Sequence, residues 1–63
     1  MQLYHFEWQA ISAAGTVEGE YTQTIPAPDA SGAMMVFEAQ NGNLAPDENG
    51  VCLVITCISW QPA

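Results

Sequence analysis

Sixty-three residues make one small domain, which buries only about 60 % of the surface its unfolded chain exposes, so that stability stays low unless a partner adds burial. Seven aspartates and glutamates meet no lysine or arginine, for a formal net charge of −7; nucleic acid and anionic membrane surfaces are thereby excluded as direct ligands, since both are gripped through cations. A hydrophobic share of 49 % with six aromatic residues still marks a chain that folds, because disordered chains are poor in these residues.

From Leu3 to Ile11 the chain alternates, with Tyr4, Phe6, Trp8 and Ala10 on one face and His5, Glu7 and Gln9 on the other. That is the period of a half-buried strand, predicted over about 3–11. A second alternation predicts a strand over about 16–25, with Val17, Gly19, Tyr21 and Ile25 against Glu18, Glu20, Thr22 and Thr24. Ser12-Ala13-Ala14-Gly15 connects the two, with Gly15 free to adopt a positive φ. Placing Ile11 opposite Thr16 brings Phe6 to Tyr21, Trp8 to Gly19, Ala10 to Val17, His5 to Thr22, Glu7 to Glu20 and Gln9 to Glu18. In that register every aromatic shares one side, and Trp8 shields the bare Gly19.

Pro26-Ala27-Pro28-Asp29 ends the strand and begins a helix over about 29–41. Asp29 is the expected N-cap, with Ala27 ahead of Pro28 as the alternative. Ala30, Ala33, Met34, Phe37 and Asn41 trace its inward stripe, and Gly42 is the expected stop. A polar connection from Asn43 to Gly50 leads to a last strand over about 51–60, beyond which Pro62 blocks pairing. The order is ββαβ, an α+β fold. If the last strand pairs with the first, the antiparallel sheet order is 2-1-3, with one helix on one face and a right-handed crossover.

The last strand reads as apolar on both faces, Leu53, Ile55 and Cys57 on one and Val54, Ile58 and Trp60 on the other. One helix can cover only one face. The expectation is therefore a homodimer, or another partner, at this strand or its edge, with Leu53, Ile55 and Cys57 as the self-association residues. Five positions apart, Cys52 and Cys57 are expected on opposite faces, as free thiols.

Chemistry-bearing patterns are sparse. His5 has Glu7 as a same-face carboxylate, but no nucleophile or oxyanion motif accompanies them, and the expectation is a protein that is not an enzyme. Cys52, Cys57 and His5 have the wrong spacing for a closed zinc site, and Asp47-Glu48-Asn49-Gly50 lacks the alternating ligands of a calcium loop. No metal or cofactor is expected. Met34 and Met35 read as gap-fillers at the helix flank. The N-terminus lacks the basic and apolar regions of a signal peptide, and Val51 to Ile58 is too short to span a bilayer. A cytoplasmic location follows as the expectation.

The acidic hairpin remains. Like charges facing each other across a strand pair cost about 0.2–1 kcal/mol, and no nearby lysine relieves Glu7, Glu18 and Glu20. A surface kept charged only for solubility usually mixes both signs. Same-face carboxylates about 7 Å apart approach the spacing of phosphates along a nucleic-acid strand. The expected partner is a basic protein surface built for nucleic acid, met by Glu7, Glu18 and Glu20 and, from the loop, by Asp47 and Glu48.

In size, charge and sheet-plus-helix plan, though in no motif, the chain resembles the small acidic phage-encoded inhibitors of bacterial defence, the anti-CRISPR proteins above all. The resemblance implies binding to a Cas protein or complex in the host bacterial cytoplasm and occlusion of its DNA or guide. It carries over no residue role. A second likeness, in Phe6-x-Trp8-x-Ala10, Gly15, Gly19 and a helix closed by Asn41-Gly42, is to the N-terminal segment of secretion and pilus platform proteins. It implies a shared ββαβ pattern rather than a shared activity. The reading from a different class is a small homo-oligomeric accessory domain that assembles through its apolar last strand.

Overall fold

A computed structural model describes residues 1–42 and 44–63. Strands β1 (Gln2–Ile11), β2 (Val17–Ala27) and β3 (Cys52–Pro62) form one sheet in the order β2-β1-β3, and helix α1 (Ala30–Asn41) lies between β2 and β3 in sequence. Both neighbours of β1 run antiparallel to it. The ββαβ reading holds, with each boundary within two residues of expectation. Asn43, the first residue of the expected polar connection, lies outside the described residues.

The core is the even face of β1. Tyr4, Phe6, Trp8 and Ala10 are buried there with Ile25 and Ala27 of β2 and Ala33 and Phe37 of α1. Phe37 stacks on Phe6 at 4.9 Å between ring centroids and meets Trp8 edge-on at 4.8 Å, the two geometries that the ring quadrupole favours. Asp29 caps the helix: its side chain accepts from the Gly32 amide at 2.7 Å. Gly42 closes it with φ +87°, donating its N–H to the Glu38 carbonyl at 2.9 Å. Ala30, expected on the inward stripe, is exposed, while Val36 packs against the core.

The hairpin register differs from expectation by two residues. Ser12, not Ile11, lies across from Thr16, its amide donating to the Thr16 carbonyl at 2.8 Å. This shortens the loop to Ala13-Ala14-Gly15, with Gly15 at φ +86°. A bulge then sets Ile11 opposite Val17 but Ala10 opposite Gly19, adding one more residue. Two single-residue shifts sum to an even number, so the aromatic and polar faces of β1 and most of β2 survive the error. Val17, now the partner of Ile11 on the other side of the sheet, is the exception. Trp8 consequently faces Tyr21, with ring centroids 5.8 Å apart. Tyr21 itself closes over Gly19: a Cβ there would lie 2.5 Å from the Tyr21 hydroxyl.

A second bulge corrects the reading of β3. Glu7 pairs with Cys57 and Trp8 with Ile55, leaving Thr56 as the extra residue. Alternation restarts there. Leu53 and Ile55 share the helix side with Ala10 and Trp8, and Ile58 and Trp60, partners of Phe6 and Tyr4, share it too. Cys57 falls on the opposite side with Glu7. The strand is therefore apolar mainly on one side, and the inference that both of its faces need a cover does not hold. The same bulge brings Cys52, partner of Ile11, and Cys57, partner of Glu7, to one side. Four β1 positions still separate them, roughly 13 Å, and both thiols are free.

Pro26 sits inside β2, paired with Leu3, rather than ending it, whereas Pro62, paired with Gln2, is the last residue of β3, as expected. Both strands are sheet edges, where a missing N–H can face solvent at no cost. Because Thr56 is the surplus residue, its deletion should leave every β1–β3 pair in place. The expected result is a folded variant within about 1 kcal/mol of the parent in urea denaturation, having lost the Thr56 Oγ1–H bond to the Glu7 carbonyl at 3.2 Å. Deletion of Ser59, which inverts the faces of Ile58 or Trp60, should cost more.

Candidate binding face

The side of the sheet away from the helix is built in rows across the three strands. Thr24, His5 and Ser59 form one row, Thr22, Glu7 and Cys57 the next, and Glu20, Gln9 and Val54 a third. Period-two alternation places these side chains together because their neighbours in sequence supply the core.

Glu7 and Glu20 are not directly opposite. They lie on a diagonal, about 7–8 Å apart for such positions, and the repulsion expected between them is relieved. Gln9 occupies the position facing Glu20 and donates its Nε2–H to Glu20 Oε1 at 3.0 Å. Glu7 accepts from the Cys57 thiol, and this hydrogen bond, with slight desolvation and the Glu7 charge, raises the Cys57 pKa above that of an ordinary thiol. Held protonated at neutral pH, the Cys57 sulfur is a poor nucleophile. His5 is engaged by Thr24, Nδ1 to Oγ1 at 3.2 Å, rather than oriented as a base by Glu7. Glu18 is exposed at the β2 bulge, beside the Ile11–Val17 pair.

The loop carboxylates play different parts. Asp47 Oδ1 accepts from the amides of Asn49 at 2.8 Å and Val51 at 3.0 Å. The Asp47 amide and carbonyl close the same turn with the Val51 carbonyl and the Gly50 amide, each at 2.9 Å. Asp47 thus organises the loop from within, whereas Glu48 is exposed at its tip. Gly50 brings this turn against the hairpin: a Cβ on it would lie 2.8 Å from Ala13 Cβ. Glu18, Glu20, Asp47 and Glu48 accordingly gather toward one end of a molecule 38 Å long, and Glu7 lies further along the sheet.

No family model, curated protein or solved structure matches this chain. The geometry itself is what bears on function. Among the described residues, no three His, Cys, Asp or Glu side chains converge as metal ligands, and no described helix is long and apolar enough to cross a membrane. Of the expected self-association residues, Leu53 and Ile55 lie together on the helix side, half-buried against the core. Cys57 is separated from them by the bulge and lies across the sheet.

Sequence reasoning missed one polar cluster. Gln23, in the apolar phase of β2, bridges to the helix C-terminus, with its Nε2–H directed to Gln40 Oε1 and its Oε1 accepting from Asn41 Nδ2 at 3.2 Å. Asn41 also donates to the Phe37 carbonyl at 3.2 Å. A glutamine in an inward phase, with amides at the end of the helix to answer it, was the available signal.

Proposed function

We propose that this protein is a non-enzymatic binder that occludes a basic, nucleic-acid-binding surface of another protein, such as a CRISPR–Cas complex, through its open acidic sheet face. One observation carries the reading. Glu7 and Glu20 stand diagonal on a regular sheet face, with Glu18 exposed beside them, and their near partners are the neutral Gln9, Thr22 and Cys57 rather than cations. The charge is left for something outside the chain. Glu48 extends the acidic end, and Asp47 supports it by fixing the turn. A rigid sheet holds the carboxylates without a large ordering cost on binding, and the net charge of −7 steers a basic partner toward the face.

The test compares the native protein with the Glu7→Gln, Glu18→Gln, Glu20→Gln triple variant as bait in lysates of bacteria carrying Cas effector complexes, followed by titration of the captured protein. The expected result is capture by the native form, at least tenfold weaker affinity of the triple variant, and native affinity that falls steeply as salt is raised. Urea stability of the triple variant should match or exceed that of the parent, because like charges are removed. Equal affinity of the two forms, or affinity unmoved by salt, would overturn the acidic-face reading.

A further inference from the structure

His5 stands on the same side of the sheet as Glu7 and Glu20. It occupies the row beside Glu7, between Thr24 of β2 and Ser59 of β3, about 7 Å from Glu7 along the strand. It is half-buried and lines an open hollow of about 250 Å³ with Thr24, Ser59 and Gln61. A second hollow on this side, of about 300 Å³, has Glu7, Glu20 and Thr56 in its lining. With no lysine or arginine in the sequence, the single histidine is the one side chain that can turn cationic. We propose that His5 is a pH switch on the acidic face, and that its protonation releases the basic partner. The inference rests on the acidic-face reading and adds the regulation of that site.

The neighbours set the sign of the effect. On β1 the ionised neighbour of His5 is Glu7; β2 places the neutral Thr24 and Thr22 beside these two, and β3 places Ser59 and Cys57. The Cys57 thiol is held protonated by Glu7 and adds no charge. Between about pH 7.5 and about pH 5.5 an imidazole takes up its proton while glutamates keep their charge. A proton on His5 therefore introduces a cation one row from Glu7. It offsets the field of that carboxylate and repels any arginine or lysine brought against the face. The fold tolerates both states, because the Thr24 hydroxyl, 3.2 Å from Nδ1, can donate to a neutral ring or accept from a charged one. The coupling is mutual: a bound cationic partner holds His5 neutral, so that binding in the middle of this pH window expels a proton.

Fluorescence anisotropy with a labelled nona-arginine peptide at low salt tests this. Arginine does not titrate in the window, so any change with pH belongs to this chain. From about pH 7.5 to about pH 5.5 the affinity of the parent should fall at least about threefold. His5→Gln, neutral throughout, should change by less than about half as much, and His5→Arg, cationic throughout, should bind weakly at both pH values. Far-UV circular dichroism should show both variants folded like the parent at each pH. A parent unmoved by pH, or a folded His5→Gln that weakens as much as the parent, would overturn the switch. The Glu7→Gln, Glu18→Gln, Glu20→Gln variant separates the two ideas at about pH 7.5. If it binds the peptide as well as the parent, or if the parent does not bind, the acidic-face reading fails and the switch with it. If it loses binding while the His5 variants behave like the parent, the reading stands and the switch alone is overturned.

Discussion

Phe37→Ala should unfold this protein at 25 °C. Phe37 has no exposed surface and holds both Phe6 and Trp8 at ring contact, so one truncation empties the centre of the helix–sheet junction. A buried Phe→Ala change costs about 3–5 kcal/mol, and loss of two favourable ring geometries adds about 0.5–1.5 kcal/mol each. A core in a chain below about 70 residues rarely supplies more than ~3–5 kcal/mol in total. The cost matches or exceeds the whole. Far-UV circular dichroism and a thermal melt check it: at about 4–8 °C per kcal/mol for a domain of this size, no native transition should remain above room temperature. A variant that melts within a few degrees of the parent would mean that the helix is not clamped through Phe37.

Gly50→Ala should be the most damaging single-methyl change in the loops, and its cost should divide cleanly. Gly50 has φ +81°, and an added Cβ would sit 2.8 Å from Ala13 Cβ, a short, inflexible neighbour. Gly15 has nearly the same φ, +86°, with nothing within 4 Å of a Cβ. Gly15→Ala thus reports the backbone cost alone, about 1–2 kcal/mol, while Gly50→Ala adds overpacking for about 2–4 kcal/mol in all. Ala13→Gly removes the obstacle. In that background Gly50→Ala should cost no more than Gly15→Ala does in the parent. Urea denaturation of the four variants measures the coupling between positions 13 and 50, expected at about 1 kcal/mol or more. Strict additivity would show that the turn before β3 does not rest on the hairpin.

Where the sequence was read correctly, local chemistry had no competitor. Alternation from Tyr4 to Ala10 permits one face assignment, and Asp29 with Gly42 brackets a helix by capping alone. Even the two-residue register error on β2 left most faces intact, because shifts of one at the Ser12–Thr16 turn and one at the bulge restored the phase. The Thr56 bulge shows the opposite case. A single surplus residue inverts the apparent face of everything after it, so Cys57 looked like a companion of Ile55 and Ile58 did not. Nothing in Ile55-Thr56-Cys57 announces a bulge, since threonine suits a regular strand as well. It follows from matching the whole of β3 to β1, a tertiary demand. The face carrying Glu7 and Glu20 was legible because charge alternates visibly, whereas Glu18 falls at the β2 bulge. The roles within it were not, since Gln9 answers Glu20, and Asp47 folds back onto its own turn, only at distances that a sequence does not contain.

The position of β1 has a consequence for how the chain comes to be folded. The central strand precedes both of its neighbours in the chain, and they arrive at very different times. β2 follows across a three-residue turn, whereas β3 comes only after the helix, pairing Gln2 with Pro62. Hairpin formation takes about 1–10 μs, but docking β3 must first close a loop that contains the helix, and non-local pairing of this kind sets the slow step. During synthesis, one edge of β1 therefore stays open until β3 emerges. In that interval the nascent chain carries its hairpin acids and helix, with the apolar side of β1 only part-covered. Until β3 docks, its solubility rests on charge rather than on burial.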